Sequence, residues 1–293
     1  MARVLVTGGS GFLGSHLVDA LAERGHEVTV FDRAPSRWLP AGARLVIGEL
    51  GDLDGLTRAA SGQEAVYHLA GFADLNAARS RPLETVHANI LGTVHLLEAM
   101  RAAGVHRFLF ASTVYVYSRE GGFYRCSKQA CETYIEEYAA SYGLRYTVLR
   151  YGSLYGPRAD RSNGVYRLLA QAMGDGRIAY TGTPDDIREY IHVEDAARLS
   201  VDAMSPDFEG KHMLLTGPSA LRAADLFTMF QEILGRPVAV DYSPSDGRAG
   251  HYSVTPYAFT PKPGRKLVTT EYVDMGQGLL QMVEELHGSR GIE

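Results

Sequence analysis

The stretch RVLVTGGSGFLGSHLVDALAERG, residues 3–25, decides the fold. Val4, Leu5 and Val6 run apolar without alternation, as a strand buried on both faces requires, and from Phe12 onward the apolar positions recur at helical spacing until Gly25. Between them Gly8, Gly11 and Gly14 make a G-x-x-G-x-x-G turn. Side chains at these points would block the sharp turn, the approach of a phosphate to backbone N–H groups and close packing of helix on strand. Further strands are predicted at 27–32, 44–50, 64–71, 107–113 and 145–152, with long helices over 87–105 and 124–143. Strands alternating with helices predict an α/β fold, a Rossmann doubly wound parallel sheet with helices on both faces.

After LYGPR (154–158) Gly, Pro and Asp recur, and a smaller mixed C-terminal substrate lobe is expected. The predicted division gives 1–155, with returning segments near 187–205, to the nucleotide-binding domain, and 156–186 with 206–293 to the lobe. Helices are predicted at 225–235 and 276–288. There is no internal repeat.

Charge and composition exclude several functions. A net charge of −5 lacks the basic footprint that a nucleic acid demands. No apolar stretch is long enough to span a bilayer, and the N-terminal apolar run enters a glycine turn too early for a signal peptide, so no membrane partner and a cytoplasmic setting are expected. Cys126 and Cys131, five apart on a helix, point roughly 140° away from each other, so neither a disulfide nor a metal is expected.

The glycine turn and the acid beyond it point to a dinucleotide. Asp32 ends the second strand 24 residues after Gly8, where a carboxylate accepts both adenosine ribose hydroxyls and repels a 2′-phosphate. NAD is therefore expected over NADP, with Arg33 beside Asp32 the one feature favouring NADP. Glu49 and Leu50, ending the third strand, are candidates to line the adenine. Tyr124 and Lys128 are four apart, on one helix face. A neighbouring ammonium lowers the pKa of a phenol, so the pair is suited to take a proton from an alcohol, with the Thr113 hydroxyl on the same oxygen. Alone, such a pair is more often a solvated surface feature.

The wider set of motifs is more specific. TGGSGFLG (7–14), HLAG (68–71), NILGTVHLLEA (89–99), STVYVY (112–117), YRCSK (124–128) with Glu132 behind it, LRYGSLYGPR (149–158) and REYIHVEDAA (188–197) together resemble the extended short-chain dehydrogenase/reductases, within them the NAD-dependent epimerase/dehydratase family. The resemblance implies Tyr124 as catalytic base, Lys128 as the group that lowers its pKa and holds the nicotinamide ribose, and Thr113 as the active-site hydroxyl. It implies a cofactor set of Gly8, Gly11, Phe12, Leu13, Gly14, Asp32, Arg33, Glu49, Leu50, Leu69, Ala70, Gly71, Tyr124, Lys128 and Tyr151. The implied substrate set is Thr113, Ser153, Arg188 and Arg248, with Arg188 on a diphosphate; for Arg188 the competing reading is an ion pair with Asp185 or Asp186. Asn89 is implied as structural support, His192 as a packing or hydrogen-bonding residue, and a homodimer through the two long helices.

Three departures matter. Val114 and Tyr115 stand where 4,6-dehydratases resembling the family carry Asp-Glu, and Tyr115 stands where decarboxylating relatives place Glu. Ser153 replaces a common asparagine. Only SREGGF (118–123) separates Tyr117 from Tyr124. The expected activity is NAD-dependent epimerisation of a nucleotide-diphosphate sugar, at C4, through a keto intermediate. Net dehydrogenase or reductase activity, and a non-catalytic NAD-binding regulatory protein, are the alternatives.

Overall fold

A computed structural model of the chain describes residues 1–243, 252 and 254–257. Strand β1 (Arg3–Thr7) has Val4, Leu5 and Val6 fully buried, because successive side chains point to opposite faces and both faces are covered. The chain turns at Gly8 into α1 (Phe12–Glu23) and returns as β2 (Glu27–Asp32), parallel to β1. β3 (Arg44–Ile47) continues the sheet outward. Then α2 (Leu53–Ala60), N-capped by the Asp52 carboxylate accepting from the Gly55 amide, crosses to β4 (Ala65–His68) on the other side of β1.

Short helices α3 (Leu75–Ser80) and α4 (Pro82–Thr85) lead into a π-helical turn, Val86–Leu91, and then α5 (Gly92–Ala103). The single helix expected over 87–105 is thus split. Such turns recur at functional positions, and this one carries the buried Asn89. β5 (Arg107–Thr113) comes next, then a 3₁₀ turn (Val114–Tyr117), α6 (Gly122–Tyr142) and β6 (Arg145–Tyr151).

The chain continues through β7 (Ser153–Tyr155), α7 (Gly164–Gly174), β8 (Arg177–Thr181), β9 (Ile187–His192), α8 (Val193–Asp202), β10 (Lys211–Leu215), β11 (Ala220–Arg222), α9 (Ala223–Leu234) and β12 (Ala239–Ser243). Among the described residues the main sheet has seven strands in the order β10-β6-β5-β4-β1-β2-β3, every neighbouring pair parallel. One face packs Val4, Val6, Leu109 and Leu149 in a cluster with Leu17 and Leu21 of α1 and Ala197 and Val201 of α8. The other packs Leu5, Val66, Phe108 and Phe110 with Leu56, Leu97, Met100 and Ile135 of α2, α5 and α6. Each such side chain removed from water contributes roughly 1.5–3 kcal/mol.

The remaining strands form two small sheets, β11-β9-β7 and β12-β8, over a separate core that includes Ile178, Tyr180, Phe227 and Phe230. This differs from the sequence reading in two ways. That reading assigns residues 206 onward to the lobe, yet β10 is the seventh strand of the main sheet: Lys211–Leu215 pairs with Thr147–Tyr151. Of the returning segment 187–205, α8 covers the main sheet while β9 belongs to a small one. The predicted helix 276–288 lies outside the described residues.

Candidate active site

The order of strands reverses between β1 and β4, and at such a switch point the carboxyl ends leave a crevice. Gly8 lies at the end of β1 with φ +77°, a backbone that disfavours any side chain, and a Cβ there would sit 2.5 Å from the Ala70 nitrogen. A Cβ on Gly14 would sit 2.0 Å from the Gly8 carbonyl oxygen. At Gly11 the nearest atom is the Gly8 oxygen at 3.3 Å. Gly11 is also the N-cap of α1 and offers no side chain to cap the amides of the first turn, where Phe12 and Leu13 lie. Free amides and the positive helix end suit a pyrophosphate. Asp32, at the end of β2, is held on both oxygens, by the Ser10 amide at 3.0 Å and the Ala34 amide at 3.2 Å. The residues present therefore fit a dinucleotide, pyrophosphate at the turn and ribose at the carboxylate.

Around this cradle Arg33 and Glu49 are exposed, and Leu50 is half-buried against Gly92. The amides of Leu69 and Ala70 both donate to the Thr7 carbonyl at 3.0 Å. A Cβ on Gly71 would meet Asn89 Oδ1 at 2.7 Å. Asn89 accepts from the Phe72 amide at 2.6 Å and donates to the Phe72 carbonyl and to Ser127 Oγ, tying the loop after β4 to α6. Tyr151 points away from the cradle. Its side chain turns into the core and its hydroxyl meets Ser200 Oγ at 2.7 Å, because alternation along β6 puts it on the face covered by α1 and α8.

Tyr124 and Lys128 stand on successive turns of α6, and the Tyr124 hydroxyl hydrogen-bonds the Thr113 side chain at the end of β5. Lys128 is 6% exposed; its Nζ donates to the Ala111 carbonyl at 2.7 Å and lies 6.0 Å from the centre of the Tyr124 ring. The expected lowering of the phenol pKa does not prevail. Burial pushes Tyr124 up to about 12, against the bond from Thr113, and burial pushes Lys128 down. Desolvation penalises both charged forms, so the phenol is protonated in the neutral range.

Behind this pair lies a buried network that includes Glu132, one turn beyond Lys128. Glu132 accepts from Ser112 Oγ at 2.5 Å and from Arg150 at 2.6 and 3.1 Å. Arg150 also donates to Tyr117 Oη and to His212 Nδ1, and His212 Nε2 lies 3.0 Å from Glu136. Burial works to raise the Glu132 pKa, but hydrogen bonds with His212, Arg150 and Ser112 outweigh it.

The substrate candidates converge on a residue that sequence reasoning missed. Tyr252, 3% exposed, places its hydroxyl 3.4 Å from Ser153 Oγ, its ring 4.7 Å from Tyr115 and its carbonyl 3.3 Å from Arg188 Nη2. A lone tyrosine in a Gly/Ser-rich stretch carries no spacing signal. Arg188 is buried among tyrosines, and its Nε has no partner among the described residues. The competing ion-pair reading fails there: Asp186 is engaged by Tyr180 and Thr183, and Asp185 pairs with Arg222. Tyr115 closes over the short loop, where a Cβ on Gly121 would meet its ring at 2.8 Å. His192 caps α8, accepting from the Glu194 amide. Arg248 lies outside the described residues.

A doubly wound parallel sheet with a glycine-turn cradle after β1 and a Tyr/Lys pair beside the end of β5 defines an extended short-chain dehydrogenase/reductase. The model of the NAD dependent epimerase/dehydratase family matches residues 4–215, and the chain belongs to that family. NAD is its cofactor. It is 30% identical to a UDP-glucose 4-epimerase of Corynebacterium glutamicum over 280 residues, 85% of this chain and 84% of the relative. Among solved structures it is similar to the UDP-glucose 4-epimerase of Thermotoga maritima with UDP-glucose, at 30% identity, TM-score 0.77, 88% of this chain and 90% of the other. The Thermus thermophilus UDP-glucose 4-epimerase in complex with NAD matches at 29% identity with the same TM-score and coverage.

Proposed function

We propose that this enzyme epimerises a nucleotide-diphosphate sugar at C4. The observation that carries the reading is the Tyr124–Thr113 hydrogen bond, with Lys128 one helical turn on, at the carboxyl edge of the sheet that also bears the glycine cradle. Tyr124 takes the proton of the C4 hydroxyl and later returns it, while Thr113 holds the same oxygen. NAD, when bound, would supply a reversible hydride acceptor for C4. Lys128 secures the nicotinamide ribose and adds positive charge beside the phenol. Arg188, a buried guanidinium whose Nε donor has no partner among the described residues, is the anchor for the diphosphate. Water elimination and decarboxylation are disfavoured because Val114 and Tyr115 supply neither a second acid nor a second base.

The test is incubation with NAD and a panel of UDP-, dTDP-, GDP- and CDP-sugars. Interconversion of 4-epimers without lasting absorbance at 340 nm supports the reading. Stoichiometric growth of that absorbance points instead to net oxidation, and no turnover on any member to a non-catalytic NAD binder. A homodimer through α5 and α6 belongs to the same proposal, since Tyr134 and Tyr142 on α6 are large and exposed; light scattering on the purified chain tests it.

A further inference from the structure

The loop between β2 and β3 starts at Asp32 and is fastened near its base, where Ser10 Oγ donates to the Ala34 carbonyl at 2.9 Å. Four residues on stands Trp38, the single tryptophan of the chain, nearly half exposed. Its ring packs on Arg158, whose guanidinium carbon is 4.9 Å from the ring centre. The other side of Arg158 pairs with Asp19 of α1 at 2.7 Å. One turn nearer the glycine cradle on the same helix, His16 Nε2 donates to the Pro157 carbonyl at 3.0 Å. Arg158 has φ +65°, the left-handed region that non-glycine residues avoid, and among the described residues no other non-glycine residue does this. Such a backbone persists only where surrounding contacts hold it, and it points to a functional constraint. Nη1 of Arg158 is buried without a partner among the described residues, so the ring and the carboxylate, not a saturated hydrogen-bond set, fix the side chain.

Three segments therefore meet at Arg158: the helix that begins at the glycine cradle, the loop that leaves the ribose-binding carboxylate, and the segment that leads from β7 into the lobe. We infer that Trp38, Arg158 and Asp19 form a latch that keeps the loop after Asp32 closed against α1 and so retains the dinucleotide between turnovers. The inference rests on the proposed function. An epimerase returns hydride to the substrate it took it from, so a cofactor that leaves in mid-cycle strands a ketone. Parting the loop from α1 requires breaking the Ser10–Ala34 bond and lifting Trp38 from Arg158.

The experiment measures NAD release from the full-length chain by displacement with NADH, together with Trp38 emission in the free and loaded protein. Arg158→Ala and Trp38→Ala are each expected to speed release about tenfold, the size of a partly desolvated cation–π contact, and the double variant to release no faster than the faster single one. Trp38→Phe, which keeps a ring, falls between. Arg158→Ala also shifts Trp38 emission without cofactor. Asp19→Asn, a milder change, gives the same direction should Arg158→Ala fail to fold. Folded variants that release NAD within twofold of the wild type overturn the latch and leave the proposed function standing. A wild type that binds no NAD overturns both.

Discussion

Arg150 Nη2 lies 2.6 Å from Glu132 Oε2, with each side chain 6% exposed. The pair joins α6, one turn past Lys128, to β6, and through Ser112, the residue before Thr113, to β5. Burying two charges is costly, and removing only one leaves the other uncompensated. Glu132→Gln or Arg150→Met is therefore expected to destabilise the chain by about 3–5 kcal/mol in urea unfolding, and Glu132→Leu with Arg150→Met by clearly less.

In the proposed reaction Tyr124 transfers the proton. Tyr124→Phe is expected to lower turnover by at least about a hundredfold, the typical reach of a general base, while leaving NAD affinity within a few-fold. Thr113→Val, which removes the hydroxyl proposed to hold the reacting oxygen, is expected to cost about tenfold or more. Steady-state rates and NAD titration on each variant check this.

The pH response of Tyr124 has a definite sign. Its pKa is raised to about 12, so without cofactor the phenol stays protonated throughout the neutral range. A positively charged nicotinamide stabilises the phenolate, so NAD⁺ binding releases a proton and tightens as pH rises. Tyrosinate absorbance appearing on addition of NAD⁺ at mildly alkaline pH, and absent in Tyr124→Phe, is the expected outcome.

His68 sets an acid limit on the fold. It is 1% exposed, and because Thr93 Oγ1 donates to the Asn89 carbonyl, His68 Nε2 donates to Thr93 while Nδ1 accepts from Thr7 Oγ1. The ring is thus held neutral, and burial pushes its pKa down to about 3. Between about pH 6.5 and 3 the unfolded chain binds a proton that the folded chain refuses, so this stability is full above that window and declines through it, by up to about 1.4 kcal/mol per pH unit. Urea unfolding at successive pH values is expected to show a shallower decline in His68→Gln.

Much of this was legible in the sequence because it depends on local rules. The glycine turn, the Asp32 carboxylate and the strand-helix alternation each need particular residues at fixed offsets, and β1, α1 and β2 fall where 3–25 and 27–32 predict them. β10 was not legible: KHMLL is short and lies between Gly210 and a Gly/Pro turn, and its membership of the main sheet is decided by pairing with β6, a tertiary event. The spacing of Tyr124 and Lys128 forecasts their shared helix face but not the direction of the phenol pKa, since desolvation depends on what covers the pair. Tyr151 turns out a core residue because a motif position says nothing about which face of β6 its side chain takes. Tyr252 and the Trp38–Arg158 contact join residues too far apart in sequence for any periodicity to connect.

The most direct test tracks an isotope at the carbon that reacts. A UDP-hexose deuterated at C4 is incubated with the enzyme and NAD, and the epimerised product is analysed by mass and NMR. Retention of the deuterium at C4 of the inverted sugar, with no conversion by Tyr124→Phe, is the predicted result. Wash-out of the label into solvent, or conversion by Tyr124→Phe at the wild-type rate, contradicts it.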